Sequence, residues 1–325
     1  MYNIAIVGAG QIGSRHLQAM AALGETARVQ LVDPSEASLR IARERFSQVY
    51  QEDSENIELL CHRSIDDLSE PVDLAIVATC SNIRGTVIKE LTRKKDVKNL
   101  ILEKVLFQTV PEYYAIDELL RKHNIPTWVN CYMRSRNFYK ELRNQISPSK
   151  KIEMRVEGSL WGMGCNSIHF IDYFSYVTGC SDFEFTDCRF NGDLISSKRP
   201  GFVEFSGELA GQNSQGHSLI LVCHDKGSDP IRINIRNGHK NHEITDCIDH
   251  VIHRVSDGDK KIEKKVDIPF QSQTTNTLAH QIRNYGTCDL TTYHDSMNLH
   301  LPLIRALIEH MRNLSGKNEE VCPIT

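Results

Sequence analysis

Long apolar runs, an excess of positive charge and paired cysteine motifs are all missing from this 325-residue sequence. The longest apolar stretches, at residues 74–78 and 100–102, fall far short of the roughly 18 residues that a membrane span requires. With 38 basic and 42 acidic side chains the net charge is -4, which argues against nucleic acid as the main partner. The ten cysteines include no C-x-x-C pair, and the first predicted strand leaves no room for a targeting segment. We therefore expect reduced thiols in a cytoplasmic protein.

Two domains are expected, since the chain is about twice as long as a typical domain and has an ordinary globular composition. In residues 1–130, short β-branched runs alternate with helical patterns. This alternation predicts an α/β Rossmann domain built on a doubly wound parallel sheet, with strands at residues 3–7, 29–33, 72–78, 99–103 and 127–130.

In residues 131–325, most predicted strands alternate apolar and polar residues, as antiparallel strands with one solvated face do. We expect an α+β domain for substrate binding, with a large, open, mostly antiparallel sheet and a C-terminal helix at residues 296–314. Because few helices are predicted to cover this sheet, we expect an exposed apolar face that drives assembly into a homo-dimer or homo-tetramer.

The turn after the first strand carries the G-x-G-x-x-G pattern in Gly8, Gly10 and Gly13, with a strand before it and a helix after it. Gly8 allows a tight turn, Gly10 lets the backbone approach a pyrophosphate, and Gly13 lets the helix pack against the strand. The pattern therefore predicts a dinucleotide site at the helix N-terminus, which also includes Gln11 and Ile12. A glycine-rich turn that binds nothing is the alternative.

Asp33 ends the second predicted strand, at the position that contacts the ribose in dinucleotide-binding folds. A carboxylate there can accept hydrogen bonds from both ribose hydroxyls of NAD and would repel the 2′-phosphate of NADP. The sequence therefore favours NAD over NADP as the cofactor.

Lys104 directly follows the predicted strand at residues 99–103, at the sheet edge where parallel sheets bind their ligands. An ammonium group there can polarise a carbonyl or hydroxyl oxygen during hydride transfer. A solvated lysine at a strand end is the alternative, and spacing alone favours that alternative.

Several segments together make the chain resemble the Gfo/Idh/MocA oxidoreductases, in the branch found with surface-polysaccharide biosynthesis. They are residues 8–16, Asp33, Ala78-Thr79, Glu103-Lys104 and residues 161–172. The resemblance runs almost end to end and is loose after residue 180. It implies a nicotinamide cofactor contacted by Thr79 and Glu103, a sugar or cyclitol substrate, and subunit contacts through the open sheet.

The same resemblance implies that Lys104 is catalytic and that His169 exchanges a proton with the substrate hydroxyl, a task suited to a side chain that titrates near neutral pH. Asn166 and Asp172 lie about one helical turn on either side of His169 and are predicted to bind substrate or orient the imidazole. Arg134 fits the same branch and completes the predicted substrate-binding set.

Three positions depart from the family's pattern. Val105 replaces the proline of the usual E-K-P motif, Cys165 stands where an acidic residue would precede the histidine, and Arg84 stands where a histidine often lies near the cofactor. We interpret Cys165 as a small packing residue rather than a nucleophile, and we expect Arg84 to face solvent. The histidines at 239, 242, 250 and 253 show no metal-ligand spacing, so we predict no metal site.

Together these features predict an NAD-dependent sugar dehydrogenase or ketoreductase that acts on a sugar or nucleotide-linked sugar, in surface glycan biosynthesis. Two alternatives stay open. One is NAD-assisted elimination or hydrolysis of a glycoside through transient oxidation, and the other is a non-catalytic protein that senses NAD or a sugar.

Overall fold

A computed structural model describes residues 1–50, 56–247 and 250–325. The chain divides into two compact units. The first contains Met1–Phe107, Pro111–Asn130 and Pro269–Tyr293, and the second contains Gln108–Val110, Cys131–Ile268 and His294–Thr325. The sequence analysis placed everything after residue 130 in the second domain. Residues 269–293 instead belong to the first unit, because Leu278 and Ile282 are buried in its core.

A seven-stranded sheet forms the centre of the first unit. Its strands are β1 (Tyr2–Val7), β2 (Ala27–Val32), β3 (Ile57–His62), β4 (Leu74–Val77), β5 (Leu100–Leu102), β6 (Thr127–Val129) and, far along the chain, β17 (Thr291–Thr292). They lie in the order β17-β6-β5-β4-β1-β2-β3, with β1 to β6 parallel and β17 antiparallel to β6. β1 and β4 are buried along their whole length, as strands covered on both faces should be. The predicted doubly wound sheet is confirmed.

Helices connect the parallel strands of this sheet. They are α1 (Gln11–Met20), α2 (Glu36–Ser47), α3 (Ser81–Lys94) and α4 (Val110–Lys122). The start of α2 is fixed by Ser35, whose hydroxyl accepts a hydrogen bond from the Ser38 N–H. A later helix, α7 (Thr275–Tyr285), also belongs to this unit. The sequence analysis predicted neither α7 nor β3.

An eight-stranded sheet dominates the second unit. Its strands are β7 (Ile152–Ser159), β8 (Glu184–Phe190), β11 (Gly207–Gln212), β12 (Ser218–His224), β13 (Arg232–Asn237), β14 (Lys240–Asp246), β15 (His250–Asp257) and β16 (Lys260–Asp267). Their order is β16-β15-β14-β13-β7-β12-β11-β8, and neighbours are antiparallel except β12 and β7. This confirms the predicted, mostly antiparallel sheet.

Three helices and two short strands complete the second unit. The helices are α5 (Asn137–Asn144), α6 (Met163–Thr178) and α8 (Tyr293–Ser315), and the strands are β9 (Ile195–Ser196) and β10 (Val203–Glu204). The sheet buries one face, on which β7 contributes Ile152, Met154 and Val156. In the described part of the chain, no helix combines the length and apolarity needed to cross a membrane.

The other face of the eight-stranded sheet is charged. Arg254 on β15 lies 2.9 Å from Glu243 on β14 and 2.6 Å from Glu263 on β16, and Arg236 lies 3.5 Å from Glu153 on β7. The expectation of an exposed apolar face is therefore wrong, because strand alternation places charged residues on the solvated side. A homo-dimer or homo-tetramer stays a prediction, without that driving force.

Candidate functional site

In the glycine turn between β1 and α1, two of the three glycines have no room for a side chain and the third does. Gly8 has a φ of +101°, and a Cβ added to it would lie 3.0 Å from the Ala78 carbonyl carbon and the Thr79 nitrogen. A Cβ on Gly13 would lie 1.7 Å from the Gly8 oxygen, whereas one on Gly10 would meet no atom within 4 Å. Gly8 and Gly13 are therefore required by the close packing of strand, turn and helix, and Gly10 faces open space.

Helix α1 begins at Gln11, and no described side chain caps its N-terminus. Its first intrahelical hydrogen bond runs from the Ser14 N–H to the Gly10 oxygen over 2.9 Å. The helical pattern thus leaves the N–H groups of positions 11–13 without helical acceptors, beside the space at Gly10. Gln11 and Ile12 are both exposed at this end. Such a terminus is suited to bind phosphate oxygens.

Asp33 is held against the glycine turn by two backbone hydrogen bonds. Its Oδ2 accepts from the Ala9 N–H over 2.7 Å, and its Oδ1 accepts from the Ser35 N–H over 2.8 Å. The carboxylate is partly buried just beyond β2. A phosphate group placed here would meet a fixed negative charge.

Two buried polar atoms at the carboxyl ends of parallel strands, on either side of β5, have no hydrogen-bond partners in the described structure. They are Thr79 Oγ1, beyond β4, and Asn130 Oδ1, beyond β6. Buried polar atoms are normally satisfied, so these two call for a ligand or a bound water. Together with the open space at Gly10 and the uncapped start of α1, the Thr79 hydroxyl makes this edge of the first unit fit a dinucleotide cofactor.

Glu103 belongs to a buried network inside the first unit. Its Oε1 lies 2.9 Å from His16 Nε2 and accepts a hydrogen bond from Asn130. His16 Nδ1 lies 2.8 Å from Thr275 Oγ1, and Gln271 bonds both Asn130 and Thr275. Burial raises the pKa of Glu103, but the hydrogen bonds from His16 and Asn130 outweigh it and leave the pKa below its ordinary value. The carboxylate thus has partners within the protein, where the resemblance predicts a cofactor contact.

Lys104 is partly buried just beyond β5, in a turn that Arg84 holds in place. Arg84, in the first turn of α3, is only 1% exposed. Its guanidinium donates to the carbonyl of Leu106 over 2.9 Å and also to the carbonyls of Val105 and Thr79. The expectation that Arg84 faces solvent is therefore wrong, because the loop beyond β5 buries carbonyls that need a donor.

The N-terminus of α6 carries a carboxylate that the sequence analysis missed. Glu204, on β10, accepts hydrogen bonds at Oε2 from the N–H groups of Gly164 (2.8 Å) and Cys165 (3.3 Å). An acidic group thus lies beside Cys165, although it comes from a residue 39 positions away in the chain. No local pattern signals this contact. The Asn166 amide donates to the Trp161 oxygen over 2.7 Å, and its contact with substrate stays a prediction.

His169 is 6% exposed on α6, and its imidazole packs edge-on against the Tyr132 ring, with 4.6 Å between the ring centroids. Asp172, one turn later, is fully buried and paired with Arg134. Arg134 Nε lies 2.8 Å from Asp172 Oδ2, and its Nη2 lies 2.9 Å from Oδ1. Where the sequence analysis predicts two substrate-binding residues, the structure forms a bidentate ion pair between them. Arg136, two positions beyond Arg134, was not predicted.

Among the described residues, no three or more His, Cys, Asp or Glu side chains are grouped so that they could hold a metal ion. All ten cysteines are free thiols.

Solved structures share the fold over nearly the whole chain. UDP-N-acetylglucosamine 3-dehydrogenase GnnA from Acidithiobacillus ferrooxidans has a TM-score of 0.68 at 13% identity, covering 94% of this chain and 96% of that one. KijD10, a 3-ketoreductase from Actinomadura kijaniata solved with NADP, has a TM-score of 0.69 at 13% identity, with coverages of 94% and 96%. An oxidoreductase from Agrobacterium radiobacter, solved with NAD⁺, L-tartaric acid and magnesium, has a TM-score of 0.71 at 12% identity, with coverages of 93% and 94%. At these identities the similarity shows the fold.

A search among curated proteins finds no match to the chain. Residues 2–131 match the family model GFO_IDH_MocA, described as an oxidoreductase family with an NAD-binding Rossmann fold. This match covers the glycine turn, Asp33, Thr79 and Lys104, which are among the residues that suggested the resemblance, but not residues 161–172. Residues 2–131 are therefore similar to the Gfo/Idh/MocA oxidoreductase family.

Proposed function

We propose that this protein is an NAD-dependent dehydrogenase or ketoreductase of a sugar or nucleotide-linked sugar, acting in surface glycan biosynthesis. The observation that carries the redox part is the cradle formed by the open space at Gly10, the uncapped start of α1 and the unsatisfied Thr79 hydroxyl. The sugar part is supported by the similarity of residues 161–172 to the polysaccharide branch of the family. It is also supported by the fold neighbours GnnA and KijD10, which are named as a UDP-N-acetylglucosamine 3-dehydrogenase and a 3-ketoreductase.

The cofactor preference is proposed to follow from Asp33. Its carboxylate is fixed at the glycine turn by the N–H groups of Ala9 and Ser35, so it cannot rotate away without losing two hydrogen bonds. In that position it accepts hydrogen bonds from ribose hydroxyls and repels a 2′-phosphate. Fold neighbours have been solved with NADP or with NAD⁺, which makes this preference a point to measure.

In the proposed mechanism, the bound nicotinamide dinucleotide supplies the group that accepts or donates the hydride. Lys104 polarises the oxygen of the reacting substrate carbon. His169 takes the hydroxyl proton in the oxidation or returns it in the reduction. The hydrogen bonds from Arg84 to the carbonyls of Val105 and Leu106 hold the turn that carries Lys104. The edge-on contact with Tyr132 restricts rotation of the His169 imidazole.

A screen of keto- and hydroxy-sugars, free and nucleotide-linked, with NAD and with NADP would test this function. Turnover should change the absorbance that separates reduced from oxidised nicotinamide, in step with product formation. Product formation without a net absorbance change would instead indicate elimination or hydrolysis through transient oxidation. Saturable NAD binding without turnover of any sugar would indicate a non-catalytic sensor and contradict the proposal.

Two variants separate chemistry from binding. Lys104→Met and His169→Ala should each lower turnover by about 10²–10⁴-fold, because acid/base and polarising groups act mainly in the transition state. Their affinity for NAD, measured by titration calorimetry, should stay close to that of the unaltered protein. Lys98→Met and His123→Ala, at exposed positions, are matched controls and should keep full activity. Strong loss of NAD affinity with unchanged turnover would contradict the assigned roles.

Location and assembly are proposed on separate grounds. Ten free thiols suit a reducing compartment, so we propose a cytoplasmic enzyme. The family resemblance supports a homo-dimer or homo-tetramer through the eight-stranded sheet, with its cross-strand ion pairs rather than an apolar face at the contact. Light scattering at micromolar concentration measures this directly, and a monomer would contradict it.

A further inference from the structure

The side chain of Arg136 is a buried cation that forms no ion pair with any of the described residues. The residue is only 5% exposed, and its Nε and Nη1 have no hydrogen-bond partner among the residues that the structure describes. Arg134, two positions earlier, is fully engaged with Asp172. One short segment therefore carries two guanidinium groups, of which one is satisfied and the other is not.

Two energetic terms oppose this placement of Arg136. A buried guanidinium with unmade hydrogen bonds loses its hydration without compensation. Arg136 is also the N-cap residue of α5, where the helix dipole disfavours a positive charge. Burial accordingly lowers the pKa of Arg136, although the nearby Tyr132 and Tyr139 hydroxyls raise it. The lost hydration and the helix dipole thus both disfavour a charged guanidinium at this position. A ligand anion bound to Arg136 would offset both effects.

The surroundings of Arg136 include the candidate acid/base residue. Its guanidinium carbon lies 5.0 Å from the centre of the Tyr132 ring, in a cation–π contact. The His169 imidazole packs against the same ring with 4.6 Å between centroids. Tyr132 thus contacts both Arg136 and His169, and all three lie in the second unit. A ligand anion at Arg136 would therefore bind next to the aromatic ring that also contacts the group proposed to handle the substrate proton.

We infer that Arg136 recognises an oxyanion of the substrate, so that the substrate is a negatively charged sugar. The planar guanidinium can donate from Nη1, together with the adjacent Nη2, to two oxygens of one phosphate or carboxylate. The diphosphate of a nucleotide-linked sugar and the carboxylate of a sugar acid both supply this chemistry. This inference rests on the proposed function and narrows its substrate class. It assigns Arg136 as a substrate-binding residue that the family motifs do not include.

The test compares charged with neutral sugars on the NAD-loaded protein. Calorimetry measures the affinities of UDP-N-acetylglucosamine against N-acetylglucosamine, and of glucuronate against glucose. The first pair probes a diphosphate and the second probes a carboxylate, so the two sources of the anion are distinguished. We expect at least one charged probe to bind more than about tenfold tighter than its neutral counterpart, as a charge-assisted hydrogen-bond pair would give.

Variants then assign the preference to Arg136. Arg136→Met should reduce the ratio of charged to neutral affinity at least about tenfold, and Arg136→Lys should restore only part of it, because an ammonium lacks the fork of donors. Arg232→Met removes an exposed arginine from β13 in the same unit and should leave the ratio unchanged. Inorganic pyrophosphate should compete with the preferred probe in the unaltered protein, which tests the site even if Arg136→Met does not fold.

The outcomes separate this inference from the proposed function. Equal affinity for charged and neutral sugars in the unaltered protein would overturn the inference. So would a charge preference that survives Arg136→Met in a protein with an unchanged thermal unfolding midpoint. Turnover of neutral sugars with NAD would, in either case, leave the proposed oxidoreductase function standing. Absence of turnover with every sugar would overturn the function itself.

Discussion

A buried histidine pair in the second unit gives the protein a predictable sensitivity to acid. His242 on β14 and His253 on β15 are each 1% exposed, and His242 Nδ1 lies 3.3 Å from His253 Nε2. Their other ring nitrogens have no hydrogen-bond partner among the described residues. Burial lowers the pKa of His253 from 6.5 to about 4, and electrostatic repulsion from the His242 and Lys264 side chains adds to this effect. Burial and Lys240 also lower the pKa of His242.

The sign and size of the effect follow from proton linkage. Between about pH 6.5 and about pH 4, the unfolded chain binds a proton at residue 253 and the folded chain does not. Stability is therefore complete above the unfolded pKa and is lost as the pH falls through this window. Because one pKa unit corresponds to about 1.36 kcal/mol, His253 alone should cost about 3 kcal/mol of unfolding free energy by pH 4.

Tryptophan fluorescence can follow this loss in the unit concerned. The chain has two tryptophans, and Trp161 is the one in the second unit, so Trp128→Phe leaves a single local reporter. Urea unfolding from about pH 7 to about pH 4 should show the unaltered pair losing about 3 kcal/mol more than the double variant His242→Leu/His253→Leu. The exposed His239→Leu serves as the control. Identical pH dependence with and without the pair would refute the assignment of a neutral, buried His253.

Further predictions concern the two candidate regions. Asp33→Ala should reduce the preference for NAD over NADP, as measured by calorimetry. Equal affinities for NAD and NADP in the unaltered protein would contradict the role assigned to this carboxylate. Arg84→Met should lower the unfolding free energy by roughly 2–4 kcal/mol in urea titrations, since it strands buried carbonyls; a change below about 0.5 kcal/mol would count against the clamp. Glu204→Ala should destabilise the protein by about 1 kcal/mol through loss of the α6 cap, and Glu204→Gln by less. Cys165→Ala should leave turnover nearly unchanged, and its inactivation together with a tolerated His169→Ala would point to thiol chemistry.

The sequence predicts best where one local pattern settles the structure. The strands β1, β2, β4, β5 and β6 were predictable because each is a short, mostly apolar run that is almost entirely buried. β3 was missed because its side chains are only partly buried and its pattern is weak. α7 was missed because it is placed by tertiary packing on a core built from the start of the chain, which no local pattern encodes.

At the candidate site, too, features encoded by a local pattern were predictable and those that depend on distant segments were not. The glycine turn could be predicted because its function depends on backbone space at fixed spacing, and the structure has that space at Gly10. The partners of charged side chains could not be predicted, since they come from distant segments. Asp172 is paired with a residue 38 positions away, and the carboxylate beside Cys165 comes from Glu204. A motif therefore names the residue types at a site, and only the fold decides which of them face a ligand.

Two positions that depart from the family's pattern, Val105 and Arg84, contact each other in the structure. In the sequence, Val105 lacks the proline ring that stiffens the family's usual E-K-P turn. Arg84, which lies 21 positions before Val105, stands where the family often has a histidine. In the structure the Arg84 guanidinium donates to the carbonyls of Val105 and Leu106. Proline would restrict this turn through its backbone, whereas here a buried side chain restricts it through hydrogen bonds. Because both devices act on the residues next to Lys104, the absence of proline makes Arg84 necessary, and Arg84→Met should be better tolerated when Val105 is replaced by proline.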